Sequence, residues 1–565
     1  MKYFRFIFLA FLIGVTLYAC GPSIKLTGVT DKEVMMGMEF DPLDGVKAMD
    51  SKLGDITENI IVSGEVNINK LGSYDLEYSV VGSNNQKAEA KRKITVVDFV
   101  TEQDVLNLVS DFATAETKDQ LVSSVFEKPV KWQSSNPNLY SIKDNVGTVN
   151  KSMQKHQSQT VTISATIENE DNTISFFQKD IVVGPIVFAE MRETPVSTYF
   201  STGVMSFYKS NSTRYKNEGK VFSDNTREVL DIVNYAFVEF DANAEVKMDT
   251  AAYVSDVVDL RNDDVRAIFC IKGVSGTGSQ NFSKVCSDGV LRTKFVKNLM
   301  DLVDEHNFDG LDIDWETADG YPVVASLLNL LVRDLKGEMI RRQEEGGSPY
   351  LLSAAIPSSG WGLVADRFDI PTLNLYLDYI NLMSYDMNSS AKTTHVSPLH
   401  ISSYDGGFGF GGDYGVTTLT KKGFDPSKII VGASGYGKAY KVTGPSKHQD
   451  LPFLGVSGTL TSITGVSGSY ASGTLFLKGV QELIATGRYE IYHEYNTSGN
   501  FVGTYIYSQA DGYFVTYDSD KAISEKYRYV LKTKGQGIMF WCYGEDADDI
   551  IVDTLYKEYM RSQTS

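Results

Sequence analysis

The sequence has little cysteine, little histidine and a deficit of positive charge. Four of its 565 residues are cysteine and six are histidine, and no CxxC or Cys/His spacing typical of a metal site occurs. We therefore expect no metal, and no other cofactor is indicated. Lys and Arg number 53 against 72 Asp and Glu, which gives a formal net charge of −19. A strongly acidic chain repels polyphosphate, so nucleic acid is not an expected partner.

The composition, 42% hydrophobic and 22% charged, excludes a polytopic membrane protein. An apolar run at 6–17 follows Lys2 and Arg5 and is too short to span a bilayer. It leads into Leu17-Tyr18-Ala19-Cys20, which matches a bacterial lipobox, in which the cysteine is acylated. We therefore predict a lipoprotein signal peptide at 1–20, lipidation of Cys20 and a membrane anchor through that lipid, in the outer membrane of a bacterium. An ordinary secretory signal that contains a cysteine is the alternative.

The three cysteines beyond the predicted signal peptide cannot all pair. Cys270 and Cys542 lie in apolar, strand-like runs, which indicates buried free thiols. A disulfide between Cys270 and Cys286 is the alternative.

Two β modules are predicted before residue 186. At 24–98, apolar residues from Tyr74 to Val80 alternate with polar ones, and this period of two is typical of a half-buried strand. The stretch resembles a bacterial immunoglobulin-like (Ig-like) module. At 99–185 the same alternation recurs, and Trp132 opens a turn sequence similar to that of bacterial Ig-like repeats. We predict two all-β Ig-like sandwiches that act as spacers, with glycan binding as the alternative.

From about residue 186 the pattern changes, because β-branched apolar runs now alternate with longer helical stretches. The candidate strands are at 203–208, 232–240, 265–271, 310–315, 350–355, 379–385, 429–433 and 537–541. Eight such βα units predict a (β/α)8 TIM barrel at 186–565. A segment rich in Gly, Ser, Thr and Tyr at about 440–530 predicts an α+β insertion domain between strands seven and eight.

Three acids recur at every second position of the fourth candidate strand. Asp312, Asp314 and Glu316 therefore point the same way, with neighbours about 7 Å apart, while Leu311 and Ile313 mark a buried strand. Acids packed together beside an apolar strand resist ionising together, so folding alone does not favour them. The last residue of a barrel strand lies at the active rim. The pattern therefore predicts Glu316 as an acid with a raised pKa, backed by two further carboxyls.

With Asp309, these acids complete a DxxDxDxE signature, and the segment resembles glycoside hydrolase family 18, the chitinase family. Met383-Ser384-Tyr385-Asp386 is similar to the family's M-x-Y-D after strand six, and 537–541 is similar to its G-x-M-x-W in strand eight. Residues 512–518 resemble the end of the chitinase insertion domain. The resemblance covers the chain from about 190 to 560.

The resemblance implies a retaining mechanism without an enzyme nucleophile, in which the 2-acetamido oxygen of the substrate attacks the anomeric carbon. Glu316 is then the general acid and base. Asp314 orients the acetamido N–H, and Asp312 shares a proton with Asp314. Tyr385 donates a hydrogen bond to the acetamido oxygen.

The resemblance also implies substrate contacts around the reacting sugar. Asp386 binds sugar or acetamido groups and Met383 packs near it. Trp541 forms the apolar floor beneath the ring, because the C–H face of a sugar stacks on an indole. Tyr208, near the end of the first candidate strand, and Tyr436 are further candidates for substrate binding.

Three positions stand apart from the implied machinery. Asp309 has the wrong parity for the cleft and is interpreted as structural. Lys272 stands where many members of the family have glycine, and Cys542 follows Trp541 where an acid or a small residue is common. These two departures predict a reshaped cleft with an intact set of acids.

The leading interpretation is a monomeric, chitinase-like hydrolase of β-1,4 bonds between N-acetylglucosamine units. The insertion favours it, because that wall deepens a cleft for sugar chains. One alternative is an endo-β-N-acetylglucosaminidase that cuts the core of N-glycans. Another is a non-catalytic, glycan-binding surface lipoprotein, which the presence of Glu316 disfavours.

Overall fold

A computed structural model describes residues 24–36, 39–97, 102–125, 127–168, 174–248, 252–317, 320–358, 368–404 and 410–564. The predicted signal peptide and Cys20 lie outside these ranges, so the lipid anchor stays a prediction. Within the described ranges, no helix is both long and apolar enough to cross a bilayer. The described chain forms two compact units: one holds the residues up to 108 with 121–132 and 164–178, and the other holds 109–120, 133–163 and 179–564.

The N-terminal module is a β sandwich. Its strands are β1 (Ile24–Thr27), β2 (Lys32–Met35), β3 (Lys47–Asp50), β4 (Gly54–Asp55), β5 (Ile61–Ser63), β6 (Gly72–Val81) and β7 (Lys87–Val97). They form sheets of order β1-β3-β4 and β2-β7-β6-β5. Leu76, Tyr78 and Val80 of β6 are buried in the core between them. The period of two in the sequence therefore gave the buried face of this strand correctly.

Residues 102–185 are also rich in strands. After helix α1 (Glu102–Leu106) come β8 (Phe112–Ala113), β9 (Lys118–Gln120), β10 (Ser124–Val125), β11 (Lys128–Pro129), β12 (Lys131–Ser134), β13 (Tyr140–Lys143), β14 (Val146–Val149), β15 (Gln159–Glu168) and β16 (Ile174–Val183). Strands β13, β14 and β9 form one sheet. These residues contribute to both compact units, so a separate Ig-like module at 99–185 stays a prediction.

The C-terminal region contains a closed barrel of eight parallel strands. They are β17 (Val196–Ser201), β18 (Ile232–Phe240), β20 (Arg266–Gly273), β21 (Gly310–Trp315), β22 (Leu351–Pro357), β23 (Tyr379–Met383), β24 (Ile429–Ser434) and β31 (Gly537–Tyr543). Neighbours in sequence pair in this order, and β17 closes the ring by pairing with both β18 and β31. A short strand β19 (Val246–Met248) pairs antiparallel with the end of β18. The TIM barrel is confirmed.

Helices surround the barrel. They are α2 (Met205–Asn211), α3 (Thr213–Glu218), α4 (Asp224–Val229), α5 (Val254–Asp259), α6 (Gly276–Ser287), α7 (Gly289–Glu305), α8 (Ala325–Glu344), α9 (Ile370–Tyr376), α10 (Gly412–Lys421), α12 (Asp520–Thr533) and α13 (Ile550–Ser562). Helix α11 (Leu477–Ala485) instead packs on the inserted sheet that follows strand β24. Helix α7 illustrates how the sequence forms such a helix. At its start, the Asp288 carboxylate accepts hydrogen bonds from the Val290 and Leu291 N–H groups. Phe295, Leu299 and Val303, four residues apart, then give one buried face.

The first barrel strand differs from its predicted position. The candidate at 203–208 is wrong: the strand is Val196–Ser201, and Tyr208 lies in helix α2. A six-residue apolar run does not distinguish a buried strand from a buried helix by periodicity.

An α+β insertion follows strand β24. Its strands are β25 (Tyr436–Val442), β26 (Gly458–Leu460), β27 (Thr474–Phe476), β28 (Glu490–Tyr495), β29 (Phe501–Ser508) and β30 (Tyr513–Tyr517). The sheet has the order β26-β25-β30-β29-β28, with β27 also on β25. Helix α12, most of which the predicted limit of about 530 included, packs against barrel strands β24 and β31 and helix α13, and also against strand β29 of the insertion. The inserted sheet thus spans 436–517.

A buried ionic cluster lies at the amino end of strand β21. The Asp309 carboxylate accepts from the Arg261 Nε at 3.1 Å and from the Ala267 backbone N–H at 2.8 Å. The His156 Nε2 lies 3.3 Å from Asp309 Oδ1, and its ring stacks on Tyr350 with centroids 4.0 Å apart. Asp309 therefore has the structural surroundings that its parity predicted.

The same cluster joins residues 152–156 to the barrel. The Arg261 Nη1 donates to the carbonyl oxygens of Ser152 and Gln154, at 2.9 and 2.8 Å. Arg261 and His156 are both buried. At this point the chain before the barrel packs against it through buried polar contacts, which a simple spacer does not need.

Candidate active site

The three signature acids lie where the parity of strand β21 predicts them. Leu311, Ile313 and Trp315 join the core between the barrel and its helices. Asp312 and Asp314 point the other way and are 0% and 3% exposed. Glu316 follows the last residue of the strand and is half-buried.

Asp312 is held by four donors from four barrel strands. Its carboxylate accepts hydrogen bonds from Tyr199 Oη at 2.7 Å, Ser353 Oγ at 2.6 Å, Asn381 Nδ2 at 3.2 Å and Cys270 Sγ at 3.2 Å. Burial raises the pKa of Asp312, and these hydrogen bonds act against that rise. The four contacts fix the carboxylate in the centre of the barrel.

Asp314 has contrasting surroundings. Its Oδ1 is buried and has no hydrogen-bond partner among the described residues. Burial raises the pKa of Asp314 well above its usual range, and the neighbouring charges of Glu316 and Asp312 raise it further. The group therefore holds a proton readily. The sharing of that proton with Asp312 stays a prediction.

Glu316 is the acid nearest the solvent. Burial raises its pKa above the ordinary value, and the negative charge of Asp386 adds to the effect. A glutamic acid that stays protonated toward neutral pH is suited to general acid catalysis.

A cavity of about 460 Å³ lies at the carboxyl end of the barrel strands. It brings together seven of the predicted site residues: Asp314, Glu316, Met383, Tyr385, Asp386, Tyr436 and Trp541. The half-buried Trp541 ring lies beside Tyr199 and Phe237, with centroids 5.2 and 5.5 Å away. Burial and the nearby acids raise the pKa of Tyr385, so its hydroxyl remains a donor.

Tyr208 does not belong to this cavity, so its prediction as a substrate contact is wrong. It is fully buried in helix α2. Its hydroxyl donates to the Val221 carbonyl oxygen and lies 3.3 Å from the Tyr543 hydroxyl. The physical reason is the position of strand one, which ends at Ser201 and leaves Tyr208 between helices.

Six residues that line the cavity were not predicted: Phe237, Val274, Pro357, Lys438, Thr474 and Glu545. Lys438 Nζ lies 3.1 Å from Asp386 Oδ1 and donates to Thr474 Oγ1 at 3.2 Å, so the insertion supplies one wall. The available signals were the positions of Lys438, two residues after Tyr436, and of Glu545, just after strand eight.

The two departures from the family pattern have clear surroundings. Lys272 Nζ lies 2.8 Å from Glu239 Oε1, in an ion pair beside the Phe237 ring. Cys542 is buried, and its backbone N–H donates to Glu545 Oε2 at 3.1 Å. Lys272 is therefore neutralised by a partner instead of pointing freely into the cleft.

The cysteines and the acids are the side chains that could bind a metal. Cys270, Cys286 and Cys542 are buried free thiols, so the alternative disulfide between the first two is wrong. In the described part of the chain, no three His, Cys, Asp or Glu side chains form a metal-binding arrangement. That the protein works without metal or cofactor stays a prediction.

Comparison with known families agrees with the barrel and its acids. Residues 204–546, more than half of the chain, match the model of "Glycosyl hydrolases family 18". The chain belongs to glycoside hydrolase family 18. Residues 24–96 match the model of "Bacterial surface protein, Ig-like domain", which confirms the resemblance of the N-terminal module.

Curated relatives are chitinases or chitinase-like proteins by name. The chain is 30% identical to chitotriosidase-1 of Mus musculus over 298 residues, 51% of this chain and 60% of that protein. It is 28% identical to probable chitinase 2 of Drosophila melanogaster over 289 residues, 48% of this chain and 54% of that one. The aligned region thus spans little more than half the length of these relatives.

Solved structures share the fold. A class V chitinase from Nicotiana tobaccum, in complex with NAG4, superposes with a TM-score of 0.53 at 19% identity, over 65% of this chain and 99% of that one. Catalytic domain 2 of the group II chitinase of Ostrinia furnacalis superposes with a TM-score of 0.54 at 20% identity, over 66% of this chain and 97% of that one.

Proposed function

We propose that the protein hydrolyses β-1,4 bonds between N-acetylglucosamine units, with retention of configuration and with the substrate's own acetamido group as nucleophile. The observation that carries this proposal is the convergence of Asp314, Glu316, Tyr385 and Trp541 on one cavity. The cavity thus offers a proton donor, a partner for an amide and an aromatic floor.

In the first step, Glu316 gives its proton to the glycosidic oxygen as the bond to the anomeric carbon breaks. The acetamido oxygen attacks that carbon and forms an oxazolinium ion. With its proton passed to Asp312, Asp314 accepts a hydrogen bond from the acetamido N–H, and its negative charge balances the positive ring. The Tyr385 hydroxyl donates to the acetamido oxygen and orients it for the attack.

In the second step, the Glu316 carboxylate removes a proton from water. The water oxygen adds to the anomeric carbon and the oxazolinium ring opens. Two inversions at the same carbon give net retention. Glu316 recovers its proton and the acetamido group recovers its original form, so the cycle closes.

Trp541 and the insertion support a saccharide chain as substrate. The indole presents an apolar face to the cavity, and Lys438 and Thr474 of the insertion add polar groups opposite. The relatives named chitinases and the neighbour bound to NAG4 favour oligomers of N-acetylglucosamine.

The enzyme and its Glu316→Gln variant, as residues 21–565, are to be incubated with chitooligosaccharides and with a high-mannose glycoprotein. We expect release of N-acetylglucosamine oligomers by the wild type, and a rate about 10²–10⁴-fold lower for the variant, the usual contribution of a general acid. Chromatography of the products measures both.

Other outcomes select the alternatives. Deglycosylation without cleavage of chitooligosaccharides indicates an endo-β-N-acetylglucosaminidase. Binding without turnover of either substrate indicates a glycan-binding lipoprotein. Equal rates for wild type and Glu316→Gln contradict the assignment of Glu316.

A further inference from the structure

Glu545 is a buried carboxyl on the wall of the cavity that the mechanism above does not use. It follows strand β31 and is 5% exposed. Its Oε2 accepts from the backbone N–H of Cys542 at 3.1 Å, and its own N–H donates to the Cys542 carbonyl oxygen at 3.2 Å. This tight turn holds the side chain in place beside the cavity, next to Trp541.

The charges around the cavity do not balance. Among the described residues that line it, four are carboxyls and one is an ammonium: Asp314, Glu316, Asp386 and Glu545 against Lys438. Lys438 is already engaged with Asp386 at 3.1 Å. Asp386 is exposed, but Asp314 and Glu545 are buried, and buried carboxyls close to other acids do not all ionise, so some of them carry a proton.

The groups that face Glu545 come from three elements. Cys542 lies on its own strand, Asp386 follows strand β23, and Lys438 and Tyr436 belong to strand β25 of the insertion. Burial raises the pKa of Glu545 to about 8, and Asp386 adds to that rise while Lys438 and the Cys542 N–H oppose it. At neutral pH the side chain is therefore a neutral carboxylic acid.

We propose that Glu545 is a substrate-binding residue, which in its neutral form donates a hydrogen bond to a hydroxyl or amide oxygen of the bound saccharide. The neutral acid has an O–H to donate, whereas the carboxylate only accepts. Ionisation of Glu545 would also add a negative charge to a cavity that three other carboxyls already line. This proposal rests on the proposed function, since it assumes a saccharide in the cavity.

The test uses binding in an inactive background, which removes the titration of Glu316 and any turnover. The Glu316→Gln protein and the Glu316→Gln/Glu545→Gln protein are titrated calorimetrically with the β-1,4-linked tetramer of N-acetylglucosamine at pH 7, 8 and 9. We expect the Kd of the first to weaken about tenfold from pH 7 to 9, because the competent neutral form falls by that factor. Glutamine keeps a neutral donor, so we expect the Kd of the second to stay constant.

Two further variants sharpen the test. Glu545→Ala in the same background removes the donor, and we expect a Kd about fivefold weaker at pH 7, the loss of one hydrogen bond. Glu545→Gln has nearly the same shape and carries the test by itself if the alanine variant does not fold. Glu218→Gln, an exposed glutamate at the end of helix α3, is the matched control and keeps the pH dependence of the parent.

The results that would overturn the role of Glu545 differ from those that would overturn the proposed function. Binding that is independent of pH, or a pH dependence that Glu545→Gln leaves unchanged, overturns the role of Glu545 and leaves the proposed function standing. Absence of tetramer binding at every pH overturns both.

Discussion

The two ends of strand β21 place carboxylates in opposite electrostatic surroundings. At its amino end, Asp309 is buried against the Arg261 guanidinium and the His156 ring. At its carboxyl end, Asp314 is also buried, and its pKa is raised by that burial and then by the charges of Glu316 and Asp312. The acids at the two ends of the strand are therefore held differently: Asp309 is paired with a cation, and Asp314 and Glu316 are disposed to keep a proton.

The difference separates what folding favours from what chemistry needs. A buried charge without a partner is costly, so an acid that only supports the fold is given cations and N–H donors. An acid that must gain and lose a proton during a reaction cannot be neutralised in that way. The neighbouring Asp312, by contrast, is held by four hydrogen bonds from the barrel strands.

Breaking the amino-end cluster has the largest expected effect on stability. Arg261→Met leaves Asp309 buried without its guanidinium and removes the donors to Ser152 and Gln154. We expect the free energy of unfolding to fall by about 3–5 kcal/mol, the usual cost of an uncompensated buried charge. Urea denaturation measures the loss. A change below about 1 kcal/mol would show that the cluster contributes little net stability.

At the carboxyl end of strand β21, we expect a substitution to raise the free energy of unfolding instead of lowering it. Asp314→Asn removes a carboxyl whose buried Oδ1 has no hydrogen-bond partner among the described residues. We expect the free energy of unfolding at neutral pH to rise by about 1–3 kcal/mol, the usual scale for a buried polar group in unfavourable surroundings, because the amide cannot ionise beside Glu316 and Asp312; the rate of hydrolysis falls. The same denaturation series and an assay of chitooligosaccharide cleavage measure both. Loss of stability with loss of activity would contradict the comparison.

The gain from Asp314→Asn is expected to depend on pH. Burial raises the pKa of the folded carboxyl above its unfolded value of about 3.9, so the folded chain binds this proton more tightly than the unfolded chain. The stability of the wild type therefore falls, relative to the variant, as pH rises from about 4 toward the raised pKa. Denaturation at pH 4 and pH 7 should show little gain in stability at the first value and a larger gain at the second. An equal gain at both values would assign it to packing.

The carboxyl end of the strand was the part most open to prediction from sequence. Period two places Asp312, Asp314 and Glu316 on one face, and hydrophobic neighbours fix that face as internal. These are local rules along one strand. They needed no knowledge of the residues across the barrel.

The parts that sequence did not give depend on distant contacts or on ambiguous local patterns. Lys438 was missed because its partners, Asp386 and Thr474, lie far from it in sequence. The donors to Asp312 likewise come from four different strands. Tyr208 was misplaced because a short apolar run fits a helix as well as a strand. His156 gave no signal for its contact with Asp309, which lies far along the chain.

The substitution with the smallest expected effect tests whether the burial of an ion pair, and not the pairing itself, determines how much it stabilises the fold. Arg227 is a second arginine that pairs with acids, in this case two: its guanidinium lies 3.0 Å from Asp259 and 2.5 Å from Asp263. These acids are 50% and 38% exposed, so water already solvates them when the guanidinium is removed. Arg227→Met is the same substitution as Arg261→Met, and we expect it to lower the free energy of unfolding by about 1 kcal/mol or less, and less still in high salt. If the two substitutions cost the same, burial does not set what these arginines contribute to the stability of the barrel.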